Sequence, residues 1–194
     1  MGEKVLLIAC GVFQKEYERL PTDLRERLEA HFLDSMLHMR PADLDEAIRE
    51  WLPQPPRRAI LLFGDCSPHM REFAAHPGTV RVSGINCIEI HLGSERYKTL
   101  RHRGSFFMMP EWIDRWEEVF KKELGLGKTD LARDFMRDSA TELVYLDTGG
   151  ESVPQATLAA ASNYLGLQFR IEKSRSDRLE TALRAALTEL NDVK

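Results

Sequence analysis

The stretch KVLLIACG, residues 4–11, decides the fold class. Its apolar residues follow one another without polar alternation as far as Ala9, which predicts a strand buried on both faces, as in parallel sheets covered by helices. After Gly11 the segment VFQKEYERL has helical spacing and stops at Pro21. The chain therefore begins with a buried strand that leads directly into a helix.

Strands and helices alternate along the rest of the chain. Apolar runs predict strands within residues 31–33, 59–64, 79–84, 105–109, 142–146 and 167–171. Helical spacing predicts helices near residues 42–52, 67–76, 88–104 with a break at Gly93, 111–125, 130–139, 153–165 and 177–190. The rules for strand connections then predict a three-layer, Rossmann-like α/β fold, a mainly parallel sheet with helices on both faces. We expect one domain over residues 1–194.

Composition excludes several function classes. Hydrophobic residues make up 43% and charged residues 30%, with a net charge of −4, as in a globular protein that binds neither nucleic acid nor a membrane. The first apolar run is too short for a signal peptide or a membrane span, so we expect a cytoplasmic protein. Three cysteines, an odd number, argue against a disulfide framework.

Each cysteine lies at or just after the end of a predicted strand. Cys10 ends the first, Cys66 follows FG by two residues, and Cys87 follows the strand that ends near Gly84. Ligands of parallel α/β sheets bind outside the carboxyl ends of the strands. Cys10, Cys66 and Cys87 are therefore predicted metal ligands, and Gly11 is expected to let the backbone turn tightly beside them.

Three thiolates with an open fourth position suit either zinc or an iron–sulfur cluster whose free iron takes substrate. The chain has no CxxC motif, so the spacing alone does not select a metal. Two alternatives stay open: a single nucleophilic cysteine, or three buried cysteines that only fill the core.

Other polar residues at strand ends complete the predicted pocket. Asp34, His38 and Asp147 are candidate catalytic acids or bases, and Gly11, Asn86, Thr148 and Gly149 are candidate cofactor-binding residues. Each also has a purely local explanation, such as Asp147 capping the next helix. His91 follows Cys87 by one helical turn, so it is able to face the same side.

Several motifs resemble those of an uncharacterised prokaryotic family, domain of unknown function 1638. They are IACG at residues 8–11, GDC at 64–66, CI at 87–88 with LGS at 92–94, LDTG at 146–149 and LDSMLHMRP at 33–41. Two departures are Asn86, where the family pattern has aspartate, and SPHM after Cys66, where it has small residues.

The resemblance implies a protein of anaerobes that is associated with one-carbon or corrinoid methyl transfer, without naming a reaction. We therefore predict a metal-binding enzyme that acts on a small-molecule substrate, with a corrinoid protein or methyltransferase as its partner. The alternative is a non-catalytic metal or corrinoid carrier that serves a methyltransferase.

Overall fold

The chain forms two compact units in a computed structural model that describes residues 3–52, 57–175 and 177–192. The first unit comprises the described residues up to Gly93 together with the last helix, and the second comprises Ser94–Arg175. Each unit has its own parallel sheet, as expected of a chain in which buried strands and helices alternate.

The sheet of the first unit has four parallel strands in the order β2-β1-β3-β4. The strands are β1 (Val5–Cys10), β2 (Leu28–Leu33), β3 (Ala59–Leu62) and β4 (Thr79–Arg81). Cys10 pairs with Leu33 of β2, and Ala9 pairs with Leu62 of β3. This register aligns the carboxyl ends of the three strands at one edge of the sheet.

Helices connect these strands. They are α1 (Gln14–Glu18), α2 (Thr22–Arg25), α3 (Pro41–Trp51), α4 (Met70–Ala74), α5 (Cys87–Leu92) and α10 (Asp177–Asp192), with 3₁₀ helices at Gly11–Phe13 and Ser35–Met39. Pro41 is the first residue of α3, where its missing N–H has no cost.

One face of the first sheet packs against α3 and α4. Alternate residues of β1 and β3 contribute to this cluster because successive strand side chains point to opposite faces. The buried residues of the cluster are Leu6, Ile8, Leu44, Ile48, Ala59, Leu61, Phe63, Met70 and Phe73. Cys10 and Cys66 are partly buried residues packed against it. The cysteine-bearing edge is thus continuous with the core.

The second unit has a three-stranded parallel sheet in the order β5-β6-β7. Its elements are β5 (Ser105–Met108), β6 (Glu142–Asp147), β7 (Phe169–Lys173), α6 (Ser94–His102), α7 (Pro110–Asp114), α8 (Thr129–Ser139), α9 (Gln155–Leu165) and a π-helix over Glu118–Glu123. Its core includes Ile113, Phe120, Met136, Leu143 and Leu158, all without exposed surface.

The predicted α/β class, with parallel strands and a three-layer arrangement, is confirmed. The strands form two sheets, whereas the sequence predicted one mainly parallel sheet. The helix expected over residues 111–125 is interrupted, because Arg115 has φ −123° and ψ 29°, outside helical geometry. The division into one domain over residues 1–194 stays a prediction. Within the described residues no helix is long and apolar enough to cross a membrane.

The buried central strand predicts a large cost for truncating Ile8, which has no exposed surface. We expect Ile8→Ala to lower the free energy of unfolding by about 2–5 kcal/mol, because it leaves a cavity in the core. Ile85→Ala is the matched control, since Ile85 is 53% exposed, and should change it by less than about 0.5 kcal/mol. Urea unfolding of both variants checks this, and equal effects would contradict the assigned burial.

Candidate three-cysteine site

The three cysteines come from three different segments of the first unit. Cys10 is the last residue of β1, Cys66 lies in the loop between β3 and α4, and Cys87 is the first residue of α5. Each is partly buried, and none forms a disulfide. The predicted positions of Cys10, Cys66 and Cys87 at or beyond strand ends therefore hold.

The loops that carry Cys66 and Cys87 are in direct backbone contact through Gly64. A Cβ atom at Gly64 would clash with the Asn86 Cα, and it would lie 2.5 Å from the Ile85 carbonyl oxygen and 2.6 Å from the Asn86 nitrogen. The backbone N–H of Asp65 also donates to the Ile85 carbonyl at 2.8 Å. Only glycine allows the two loops to approach this closely.

The segments that carry Cys10 and Cys87 are joined by an aromatic contact. Phe13 follows Cys10 by three residues, and its ring stacks on the imidazole of His91, with ring centroids 4.8 Å apart and an interplanar angle of 24°. Phe13 and His91 are both buried, at 0% and 3% exposed. His91 is thus a packing residue between α5 and the chain that leaves β1.

These contacts bring the three thiols into electrostatic range of one another. Burial raises the pKa of the Cys87 thiol well above its ordinary value, and the Cys10 and Cys66 sulfurs raise it further, against weaker opposing hydrogen bonds from the Ile88 and Cys87 backbone. Two like groups raise each other's pKa only when they are near. Together with the backbone contact at Gly64 and the stack of Phe13 on His91, this places Cys10, Cys66 and Cys87 in neighbouring segments at one edge of the first sheet.

Cys66 has a raised thiol pKa for a related reason. Burial is the main cause, a backbone hydrogen bond at Gly64 opposes it, and the charges of Asp65 and Arg81 have opposite effects. Asp65 and Arg81 form an ion pair at 2.8 Å, so their charges largely cancel. Cys66 and Cys87 are consequently protonated at neutral pH, which is unlike an activated nucleophile, whose pKa is lowered.

The described residues contain no ready-made metal centre. Within residues 3–52, 57–175 and 177–192, no group of three or more His, Cys, Asp or Glu side chains is arranged to hold a metal ion. Metal binding by Cys10, Cys66 and Cys87 stays a prediction, in which each sulfur would lie about 2.3 Å from zinc.

Two candidate cofactor-binding residues lie beside the cysteines. Asn86 precedes α5, and its side-chain oxygen accepts the Glu89 N–H at 2.8 Å, so it caps this helix. Gly11 begins the 3₁₀ helix after Cys10, and its φ is not positive. The chain thus turns directly from β1 into this 3₁₀ helix, and the cofactor-binding roles of Gly11 and Asn86 stay predictions.

Asp34 and His38 follow β2 in the first unit. The Asp34 carboxylate accepts the Met36 N–H at 2.9 Å and begins the 3₁₀ helix over Ser35–Met39. The His38 Nδ1 atom donates to the Ser35 carbonyl at 2.5 Å. Both side chains thus have local structural hydrogen bonds, and their catalytic roles stay predictions.

Asp147, Thr148 and Gly149 belong to the second unit. Asp147 ends β6, and its carboxylate accepts the Gly149 N–H at 2.9 Å. Gly149 has φ +75°, a backbone conformation that favours glycine. Asp147 therefore stabilises its own turn, whereas the next helix begins only at Gln155. The catalytic and cofactor-binding roles of these three residues stay predictions.

A polar cluster of the first unit was missed by sequence reasoning. Asp45 of α3 is 4% exposed, and its carboxylate accepts hydrogen bonds from the Ser67 hydroxyl and the His69 Nδ1 atom. A usable signal was present, because Asp45 lies next to Leu44 and three residues before Ile48, on the apolar side of the helix. A carboxylate there needs polar partners.

The close contact at Gly64 predicts the effect of a single methyl group. Gly64→Ala should lower the free energy of unfolding by about 1–3 kcal/mol, because the loops of Cys66 and Cys87 must separate. Gly127→Ala is the control, since its nearest neighbour would be an ordinary 3.7 Å away and its φ is not positive. Urea unfolding measures both, and an unaffected Gly64→Ala protein would show that the loops are not held together here.

Burial of His91 predicts a pH-dependent stability. It lowers the pKa of His91 from 6.5 to about 4, so the unfolded chain binds the proton more tightly. The free energy of unfolding should thus fall as the pH drops from about 6.5 to about 4, by about 1.4 kcal/mol per pH unit. Urea unfolding between pH 7.5 and 4 tests this. His91→Gln should lose this part of the slope, and an unchanged slope would contradict the assignment.

Comparison with known proteins gives one match. The family described as "Protein of unknown function (DUF1638)" matches residues 32–183, a segment that includes Cys66 and Cys87 but not Cys10. Comparisons with curated proteins and with solved structures gave no match. Because the family model spans more than half of the chain, this protein belongs to the DUF1638 family.

Proposed function

We propose that the first unit is a metal-binding unit in which Cys10, Cys66 and Cys87 supply three thiolates to an iron–sulfur cluster or a zinc ion. One coordination position remains open for a small-molecule substrate, as in an enzyme of one-carbon or corrinoid methyl transfer. We further propose that the protein acts in the cytoplasm, where thiols stay reduced.

The observation that carries this proposal is the convergence of three thiols from three segments. The backbone contact at Gly64 joins the loops of Cys66 and Cys87, and the Phe13–His91 stack joins the segments of Cys10 and Cys87. Cys10 and Cys66 also pack against the same hydrophobic cluster. If the three cysteines only filled the core, nothing would require the segments that carry them to be joined in this way.

The donor chemistry favours a soft or borderline metal. Thiolate sulfur is the ligand preferred by zinc and by iron–sulfur clusters, whereas magnesium and calcium prefer oxygen. The raised pKa values of Cys66 and Cys87 mean that a metal must displace their protons. Affinity should therefore rise with pH, because each bound thiolate releases one proton.

The test is metal analysis of protein purified without oxygen. We expect stoichiometric iron with the visible absorbance of a cluster, or stoichiometric zinc, and loss of most of that metal in each of Cys10→Ser, Cys66→Ser and Cys87→Ser. Met39→Ser is the control, because it removes a partly exposed sulfur elsewhere in the same unit. Metal-free wild type that also fails to take up added zinc or iron would overturn the proposal.

A stability measurement checks the same site independently. With zinc at a free concentration one hundred times its dissociation constant, the wild-type free energy of unfolding should rise by about 2.7 kcal/mol. The three cysteine variants should gain much less, whereas Met39→Ser should gain as much as wild type. Equal gains in all variants would place the bound zinc elsewhere. Metal binding without turnover, together with a stable complex with a methyltransferase, would instead favour a carrier.

A further inference from the structure

A buried carboxylate in α3 lies apart from the three thiols. Asp45 is 4% exposed and stands between the core residues Leu44 and Ile48 in the sequence. An ionised carboxylate at such a position is unfavourable unless donors surround it. The groups that hydrogen-bond to the Asp45 carboxylate therefore indicate its role.

Two side chains from the loop before α4 provide those donors. The Ser67 hydroxyl donates to Asp45 Oδ1, and the His69 Nδ1 atom donates to Asp45 Oδ2 at 2.5 Å. Arg49 is farther away, with its Nη2 atom 4.0 Å from Oδ2. Burial raises the pKa of Asp45, but these hydrogen bonds and charges outweigh it and hold the pKa below its ordinary value. Asp45 is thus ionised at neutral pH.

The His69 ring is fixed at one nitrogen and open at the other. Its backbone N–H donates to Ser67 Oγ at 3.0 Å, which orders the turn, and its Nδ1 atom is held by Asp45. The side chain is 43% exposed, and no residue that the structure describes hydrogen-bonds to Nε2. With the proton on Nδ1, the neutral ring presents the Nε2 lone pair outward.

Other histidines of the chain have different surroundings. The ring nitrogens of His38, His76 and His102 bond to backbone carbonyl groups, and the His31 ring bonds to the carboxylate of Glu29. A carboxylate that ties α3 to a loop does not need an exposed imidazole as its partner, because the Ser67 hydroxyl already makes that link. The link between α3 and the loop therefore gives no structural reason for an exposed imidazole whose Nε2 atom is open.

We infer that Asp45 and His69 form an oriented carboxylate–imidazole pair whose Nε2 atom accepts a proton from the hydroxyl or thiol group of a small-molecule substrate. His69 is the catalytic residue of this pair and Asp45 is a positioning residue. Ser67 is not a nucleophile for it, because its hydroxyl donates to the carboxylate rather than to the imidazole. The inference does not require a bound metal.

The proton transfer is balanced within the pair and its substrate. The substrate O–H or S–H bond breaks, its electron pair stays on oxygen or sulfur, and the proton forms a new N–H bond at Nε2. The resulting imidazolium keeps its Nδ1–H bond to Asp45, whose negative charge stabilises it. Release of the Nε2 proton to water or to a leaving group restores the neutral ring.

The location of the pair is consistent with a ligand-binding edge. His69 lies in the loop that connects β3 to α4, beyond the carboxyl end of a parallel strand, where ligands of α/β sheets bind. The same loop carries Cys66. Proton transfer at this edge would serve substrate chemistry whether or not the thiols hold a metal.

Nitrogen-15 NMR of the imidazole rings tests the orientation without any substrate. We expect neutral His69 in the wild type to carry its proton on Nδ1, and Asp45→Asn to shift the proton substantially to Nε2. Asp43→Asn is the matched control, since Asp43 lies in the same helix and its carboxylate is 56% exposed. A wild-type ring protonated on Nε2 would overturn the inference, even if Asp45→Asn fails to fold.

Hydrolysis of ethyl dichloroacetate tests proton transfer, because imidazole promotes the hydrolysis of such activated alkyl esters as a general base, with water as the group that loses its proton. We expect wild-type protein to hydrolyse this ester faster than buffer, His69→Gln to lose the excess rate, and Asp45→Asn to lower it about tenfold. His76→Gln is the control, because the His76 side chain is partly exposed and its Nδ1 atom bonds to the carbonyl of the neighbouring Pro77. An excess rate retained in His69→Gln would contradict the inference, whereas the metal content of these variants tests the cysteine site separately.

Discussion

In the first unit β1 pairs in parallel with β2 on one side and β3 on the other, and Leu7, Ile8 and Ala9 have no exposed surface. A strand buried this completely needs helices on both of its faces, so the chain must return across the sheet after each strand. Every return loop at the carboxyl end then lies at the same edge. The gathering of Cys10, Cys66 and Cys87 follows from that constraint more than from any motif.

Much of this arrangement is predictable from sequence, because continuous apolar runs and helical spacing are local signals. VLLIA and AILL specify strands, and the Gly93 break separates α5 from α6 as expected. The division into two sheets is not predictable in the same way, since SFFM contains nothing that selects its strand neighbours. Sheet order depends on contacts between residues that are far apart in the sequence. These contacts cannot be identified from one amino-acid sequence.

The site shows the same limit. Cysteines at strand ends are visible in the sequence, but the contact that joins two of their loops depends on the absence of a side chain at Gly64. The Asp45–His69 bond spans 24 residues and joins a helix to a loop. Its only local signal is a carboxylate on the apolar side of α3, and that signal indicates a partner without identifying it.

The electrostatics of the sheet edge that carries Cys10, Cys66 and Cys87 favour binding of a cation over a role for one cysteine as a nucleophile. Burial raises the pKa of both Cys66 and Cys87, and each neighbouring sulfur raises that of Cys87 further. Ionising one thiol therefore makes the next harder to ionise, and the Asp65–Arg81 ion pair supplies little net positive charge to relieve this. A divalent cation or a cluster reverses the sign of the effect, because each thiolate then faces a positive charge. Three clustered thiols that resist ionisation alone are therefore suited to the metal site that we propose, whereas in our inference proton transfer at this edge falls to the imidazole of His69.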